Sequence, residues 1–339
     1  MIWHPFGLSV LALDLLALLL MCTGLPAALD AASAWAPAGS DAAQIRRELG
    51  AETAFFKMRW AMIFFFVATL IWIAAVSGVL VELVPGAMCG TGVLQAMAEL
   101  GPRALSLRML ALWVGYQWAV LEGLHRRLAD AALAPLVARL FCAVLPLALL
   151  AAVDTAQGLA HLNTRDPVSC CSVVYDQFRS LAEAGRWAGI SDRGLVGGTL
   201  VLGLSLLTVA GAVRHRPQRV ARAGVLAVVG PVWSALAALT LVRVLSAYYY
   251  GVLHHHCPWC LFLPEQHRIG YLLFGLLAAV ALEAPAALTA ARCAGRVPGA
   301  EGRGRRAAAV AALAAIGFTL FTFIPPLVWR WRFGVWMSG

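Results

Sequence analysis

The chain has 339 residues, of which 61% are hydrophobic and only 13% charged, with a formal net charge of +9. A soluble domain carries roughly 25% charged residues, and surface-to-volume scaling leaves no way to bury this much apolar side chain in a water-soluble globule. That class is excluded, a bilayer is the natural solvent, and membrane lipid is the first expected partner. The positive charge does not point to nucleic acid, because the arginines stand in short clusters between apolar runs, as membrane loops do.

Apolar runs of about 20 residues are long enough to cross a bilayer. Eight occur, over 5–25, 60–84, 105–124, 132–153, 194–213, 223–253, 269–291 and 307–329. The first lacks a basic leader, since Met1-Ile2-Trp3-His4-Pro5 precedes it, so it reads as an anchor helix rather than a cleaved signal. Between the first two runs, residues 28–58 read as a linker plus an amphipathic helix on the cytoplasmic surface. Ile45, Leu49, Phe55 and Phe56 would form its apolar face, with Arg46, Arg47, Glu48 and Glu52 opposite.

Basic residues favour the cytoplasmic side. Arg46-Arg47, Arg126-Arg127, Arg214-Arg216-Arg219-Arg222 and Arg292-Arg296-Arg303-Arg305-Arg306 fall in alternate loops. Eight helices then give a consistent topology with both termini outside. The basic tail at Arg330 and Arg332 breaks the rule, while Trp329, Trp331 and Trp336 suit an interfacial aromatic belt. Asp14, Arg139, Arg243 and Glu283 lie within or near helix ends, where ionisable residues are functional candidates. Arg243 could pair with Asp154.

Eight cysteines are present. Cys22, Cys142 and Cys293 read as small apolar filler or inert thiols. Cys89, Cys170, Cys171, Cys257 and Cys260 all fall on the outer side of the arginine-based map, which in a bacterium is the oxidising face. The sharpest motif is His254-His255-His256-Cys257-Pro258-Trp259-Cys260, expected to open the seventh helix. Free N–H groups and the dipole at a helix N-terminus would stabilise a thiolate. A lowered thiol pKa makes the first cysteine a nucleophile in disulfide exchange. A permanent disulfide is the structural alternative. The neighbouring imidazoles leave a metal reading open, with copper or zinc held by one or two of His254, His255 and His256 together with the cysteines.

A second feature, Asp166-Pro167-Val168-Ser169-Cys170-Cys171-Ser172-Val173-Val174-Tyr175, lies in the long loop before the fifth helix. Adjacent cysteines rarely bridge each other, so each is expected to serve a different partner. Met88-Cys89-Gly90-Thr91-Gly92 faintly echoes this loop, which suggests a degenerate repeat and places Cys89 beside Cys170 or Cys171.

The stretch over about 132–291 resembles the vitamin K epoxide reductase family. Cys171-Ser172-Val173-Val174 and Gly189-Ile190-Ser191 resemble its loop motif and helix entry, and Cys257-Pro258-Trp259-Cys260 after Tyr248-Tyr249-Tyr250 resembles its redox motif. Two features depart from the family: the first loop cysteine is missing near Leu162-Asn163-Thr164, and Ser191 stands in place of proline. The resemblance implies a four-helix bundle in which a separate periplasmic thioredoxin-like protein, loop thiols, the Cys257–Cys260 pair and a membrane quinone exchange electrons. Cys260 would face the quinone and Cys257 the loop. Tyr248, Trp259, Phe262 and Arg268 would contact the quinone.

The resulting expectation is an all-α polytopic protein of the bacterial inner membrane. It divides into a first helix (1–27), the linker (28–58), helices 2–3 with the Cys89 segment (59–131), the reductase-like bundle (132–293) and a loop with the last helix (294–339). Its expected function is quinone-dependent thiol–disulfide oxidoreduction, with a copper-handling subunit or an inactive subunit of a larger complex as alternatives. Phosphate-binding, zinc-protease and hydrolase motifs are missing from the sequence, which argues against an ATPase or hydrolase.

Overall fold

The computed structural model describes residues 3–35, 41–128, 131–168, 186–187, 190–252 and 255–337. Its helices in chain order are α1 (Pro5–Ser33), α2 (Ala42–Leu83), α3 (Gly90–Ala96), α4 (Leu100–His125), α5 (Ala134–Ala160), α6 (Asp192–His215), α7 (Val220–Tyr250), α8 (Ile269–Cys293) and α9 (Ala300–Phe333). All but α3 are long and apolar enough to cross a membrane, giving eight spans. The protein is an all-α, multi-pass membrane protein. A two-residue antiparallel pair, Arg186–Trp187 (β1) with Ile190–Ser191 (β2), stands just before α6.

The first helix buries mostly small residues and exposes leucines, as suits a helix facing lipid. Along α1 the buried positions are Gly7, Val10, Asp14, Ala17, Met21, Gly24, Ala28 and Ala31, while Leu8, Leu15, Leu16, Leu19 and Leu29 point outward. The buried set advances alternately by three and four, a heptad seam for close helix packing. Small residues on the seam let backbones approach, and leucine on the outer face meets lipid tails at no cost.

The described residues divide into two compact units. The first contains α1, α2, α4 and α5; α1 packs on α2 and α5, and α4 on α5. Its interior holds a fully buried guanidinium. Arg108 on α4 donates to both carboxylate oxygens of Asp14 on α1, to Thr69 on α2 and to Thr155 on α5. Phe65 and Trp72 flank the same group, with the Phe65 ring centroid 5.2 Å from it. Arg103 forms a two-pronged pair with Asp154 at 2.6 and 2.7 Å.

The second unit contains α6, α7, α8 and α9 arranged in a ring, each packed on the next and α9 closing on α6. Gly230 on α7 lies so near α8 that an added Cβ would stand 2.3 Å from Ala284 Cβ. Alanines 307, 308, 311, 314 and 315 form the buried side of α9. Gly304 faces Ala290 and Gly317 faces Leu276 on α8, each with room for only ordinary van der Waals contact. Glu283 on α8 pairs with Arg303 on α9 at 2.7 Å. Arg243 pairs with Asp192, not with Asp154, which is taken by Arg103.

Two expectations change here. The four-helix grouping over 132–293 is not the observed one: the fourth span packs with the first and third, and the fifth to seventh pack with the eighth. The reason is the small-residue faces of α8 and α9, which pack together as the last helix closes the ring. The separate surface helix over 28–58 is also not observed. α1 runs on to Ser33, and α2 begins at Ala42 and continues unbroken into its span. Asp41 caps α2 by accepting from Gln44 N–H at 3.0 Å, and no residue after it breaks the helix.

Candidate functional site

α7 ends at Gly251, whose left-handed backbone (φ 67°) stops the helix. The chain returns at Cys257, which leads into one turn of 3-10 helix, Pro258–Phe262, with Pro258 at its first position. Cys260 N–H donates to Cys257 C=O at 3.3 Å, and the Tyr250 hydroxyl donates to the same carbonyl at 2.6 Å. A second short turn, Pro264–Gln266, and two left-handed residues, His267 and Arg268, follow before α8 begins at Ile269. The Cys-x-x-C motif therefore does not open the helix. Pro264 would fall inside a helix running from 258 into α8, where it can neither donate nor avoid the preceding carbonyl. The dipole expected to stabilise Cys257 is not applied there.

What stabilises it instead is direct contact. Residues Gly86–Gly92 belong to the second unit and bring Cys89 to the motif. The Cys89 and Cys257 sulfurs lie 3.3 Å apart, and the Thr91 hydroxyl is 3.0 Å from Cys257 Sγ. The sulfurs of Cys89, Cys257 and Cys260 all lie within 4.8 Å of one another, and all three are unbridged. Cys89 and Cys257 are buried, Cys260 half-buried. Glycine at position 90 permits the approach: a Cβ there would stand 2.6 Å from the Trp259 ring.

Hydrogen bonding from Cys260, then from Cys89, holds the Cys257 thiol well below the ordinary thiol range, with burial opposing and Thr91 assisting. The same contact with Cys257, then with Cys89, pushes Cys260 up, and burial adds to it. The arrangement favours negative charge on Cys257 over Cys260. The contacts that favour a Cys257 thiolate are therefore those of neighbouring side chains and not the helix dipole.

The other expected residues separate. Trp259 is buried against Gly90, and its ring lies 5.4 Å from that of Phe262. Phe262 also meets Tyr271 edge-on at 4.8 Å and stacks on Phe274 at 5.5 Å. Tyr248 is engaged elsewhere, accepting from Met337 N–H at 3.1 Å and resting edge-on against Trp329. Arg268 is exposed. The His255 ring packs edge-on against Tyr250 at 4.6 Å, and His256 Nδ1 lies 3.3 Å from the Val242 carbonyl. Burial lowers the pKa of both imidazoles. Among the described residues neither histidine joins the cysteine cluster. Cys170, Cys171 and His254 lie outside the described residues. Cys89 was expected beside Cys170 or Cys171; its described neighbour is Cys257.

Sequence reasoning missed Thr91 and Tyr250 as supports of Cys257. The signal for Thr91 was its position two residues after Cys89. Tyr250 sits seven residues before Cys257, across a glycine turn that folds the chain back.

No family model matches the chain, and no curated protein or solved structure matches it either. The resemblance to the vitamin K epoxide reductase family rests on the motif residues alone.

Proposed function

We propose that the protein is a membrane thiol–disulfide oxidoreductase that passes electrons between thiols of a separate thioredoxin-like protein and a membrane quinone. In this reading it lies in a bacterial inner membrane with the cysteines on the periplasmic side. The observation that carries the proposal is the 3.3 Å approach of Cys89 Sγ to Cys257 Sγ, with Cys260 in the same cluster.

Disulfide exchange needs a thiolate in contact with the sulfur it attacks. With Cys257 bridged to Cys260, a Cys89 thiolate can attack Cys257, forming Cys89–Cys257 and releasing Cys260. The reverse attack restores the first bond. Cys257 is central to both states. Closing Cys257–Cys260 from two thiols releases two electrons and two protons, the number a quinone takes up in becoming a quinol. The residues present suit a quinone in part. Phe262 and Trp259 offer an aromatic surface within two residues of Cys260, with Tyr271 beside Phe262. Tyr248 is committed to Met337 and is dropped from the set.

The test is alkylation mass spectrometry on the reduced, purified protein before and after addition of a soluble quinone analogue. Loss of alkylation at Cys257 and Cys260, restored by dithiothreitol, supports the reading. Full alkylation of both in the presence of quinone overturns it.

A further inference from the structure

We propose that the reduced trio of Cys89, Cys257 and Cys260 is a binding site for one soft cation, Cu(I), held by three thiolates. The histidine-based metal site expected from sequence has a different ligand set. The proposal shares its sulfurs with the redox reading but does not depend on it.

Geometry comes first. A thiolate–metal bond of about 2.3 Å, taken in a trigonal plane, places sulfurs about 4 Å apart. The three sulfurs here lie within 4.8 Å of one another, and the closest pair is at 3.3 Å. The spacing that a trigonal site needs lies between these two values.

Chemistry comes second. Thiolate ligands select soft ions such as Cu(I) and zinc, and structural zinc takes four ligands. Among the described residues the cluster offers three sulfur donors, an all-thiolate set that suits a soft ion. Three sulfurs suffice for Cu(I). Cys89 and Cys257 are buried, so three thiolates together would be costly without a cation among them. Outer groups already fix the central ligand: Thr91 is bonded to the Cys257 sulfur, and Tyr250 donates to the Cys257 carbonyl. Such partners hold ligands in place around metal ions.

The site also has a built-in exclusion. A Cys257–Cys260 disulfide removes two of the three donors. If an oxidant of the quinone class takes two electrons from these thiolates, the S–S bond forms and the cation leaves. This coupling, unlike binding itself, rests on the proposed redox function.

The experiment uses the full chain in detergent, reduced with dithiothreitol and desalted without oxygen. Cu(I) is added in acetonitrile against a chromogenic Cu(I) chelator. One copper per chain is expected, with at least a tenfold loss of affinity in each of Cys89→Ser, Cys257→Ser and Cys260→Ser. His255→Ala and His256→Ala should bind as the parent does. X-ray absorption at the copper edge should show three sulfur neighbours. No copper retained, nitrogen in the first shell, or unchanged binding by the three serine variants overturns the proposal, as does tighter zinc binding at the same stoichiometry. Alkylation with quinone, done without metal, keeps the two readings apart. Copper binding without thiol cycling removes the redox function alone, and cycling without copper removes this inference alone.

Discussion

The two units share a plan and differ in what they do with polar groups. In each, the second helix carries a five-residue π segment near its end, Ala75–Val79 in α2 and Leu241–Leu245 in α7. In each, left-handed residues precede the third helix: Ala98 before α4, His267 and Arg268 before α8. In each, an aspartate of the first helix meets a buried arginine: Asp14 with Arg108, Asp192 with Arg243. In the first unit this pair is closed. Arg108 is sealed by a carboxylate, two hydroxyls and two aromatic rings, and Asp14 is buried with it. In the second unit it is open. Asp192 is half-exposed, and one Arg243 terminal nitrogen is buried with no partner among the described residues. The second unit also holds the clustered thiols of Cys89, Cys257 and Cys260. Polar groups in lipid are costly unless paired, and those left available mark function. The first unit uses its charges to tie four helices; the second holds a less enclosed ion pair and the cysteine cluster.

The comparison breaks most completely at Cys257. Cys257→Ser should abolish quinone-dependent disulfide cycling, read by alkylation mass spectrometry, while thermal unfolding stays close to the parent. A variant that still forms a quinone-induced disulfide would remove Cys257 from the centre of the exchange.

Next in size is the closed pair. Arg108→Ala leaves the Asp14 carboxylate buried without its partner, a loss of about 3–5 kcal/mol. The double variant Asp14→Leu with Arg108→Met should recover much of it, and both should leave the alkylation pattern of Cys257 and Cys260 unchanged. Equal melting temperatures for single and double variants would show that the pair does not tie the bundle.

Gly230→Ala forces α7 and α8 apart, since the new Cβ would stand 2.3 Å from Ala284. A loss of about 1–3 kcal/mol is expected, as for other overpacked sites. A denaturation midpoint unchanged from the parent would mean that the helices part without cost.

At Thr91 the expected effect is on reactivity rather than on stability. The Cys257 pKa lies below the ordinary thiol value, so its thiolate persists as pH falls from about 8 to about 6, where a free thiol is protonated. Alkylation of Cys257 should be nearly flat over that range. Thr91→Val removes a hydrogen bond to a charged sulfur, worth about 1.5–3 kcal/mol, and should tilt the profile toward higher pH. Thr91→Ser should restore the flat one.

Much of this was legible in the sequence. The eight spans follow from apolar runs too long for anything but lipid or deep core, and the structure places a helix at each. The start of α2 was legible in the capping-box spacing of Asp41 and Gln44, although residues 28–58 were expected to form a separate surface segment. Although the Cys-x-x-C motif was expected to open α8, Pro264 between them also made their detachment legible. The grouping of spans was not. Which helices meet depends on small residues such as Gly230 and Ala284, far apart in the chain and indistinguishable from other lipid-compatible positions. Cys89 reaches Cys257 across 168 residues, and no local pattern encodes such a pairing. Arg108 went unremarked because one arginine in an apolar run does not announce its carboxylate on another helix.

The length of α9 has a consequence for the membrane itself. At 1.5 Å per residue its 34 residues extend about 51 Å, whereas a bilayer's hydrocarbon layer is about 30 Å thick. The apolar stretch from Ala307 to Val328 covers about 33 Å of that length. Arg303, Arg305 and Arg306 stand at one end of the stretch, and Arg330 and Arg332 at the other. With guanidinium groups at both limits, the helix has little freedom to slide along its axis. A thinner bilayer must be met by tilt, and tilt of α9 would load the α8–α9 packing. Hydrophobic mismatch would thereby reach the helix that begins just after the cysteine motif.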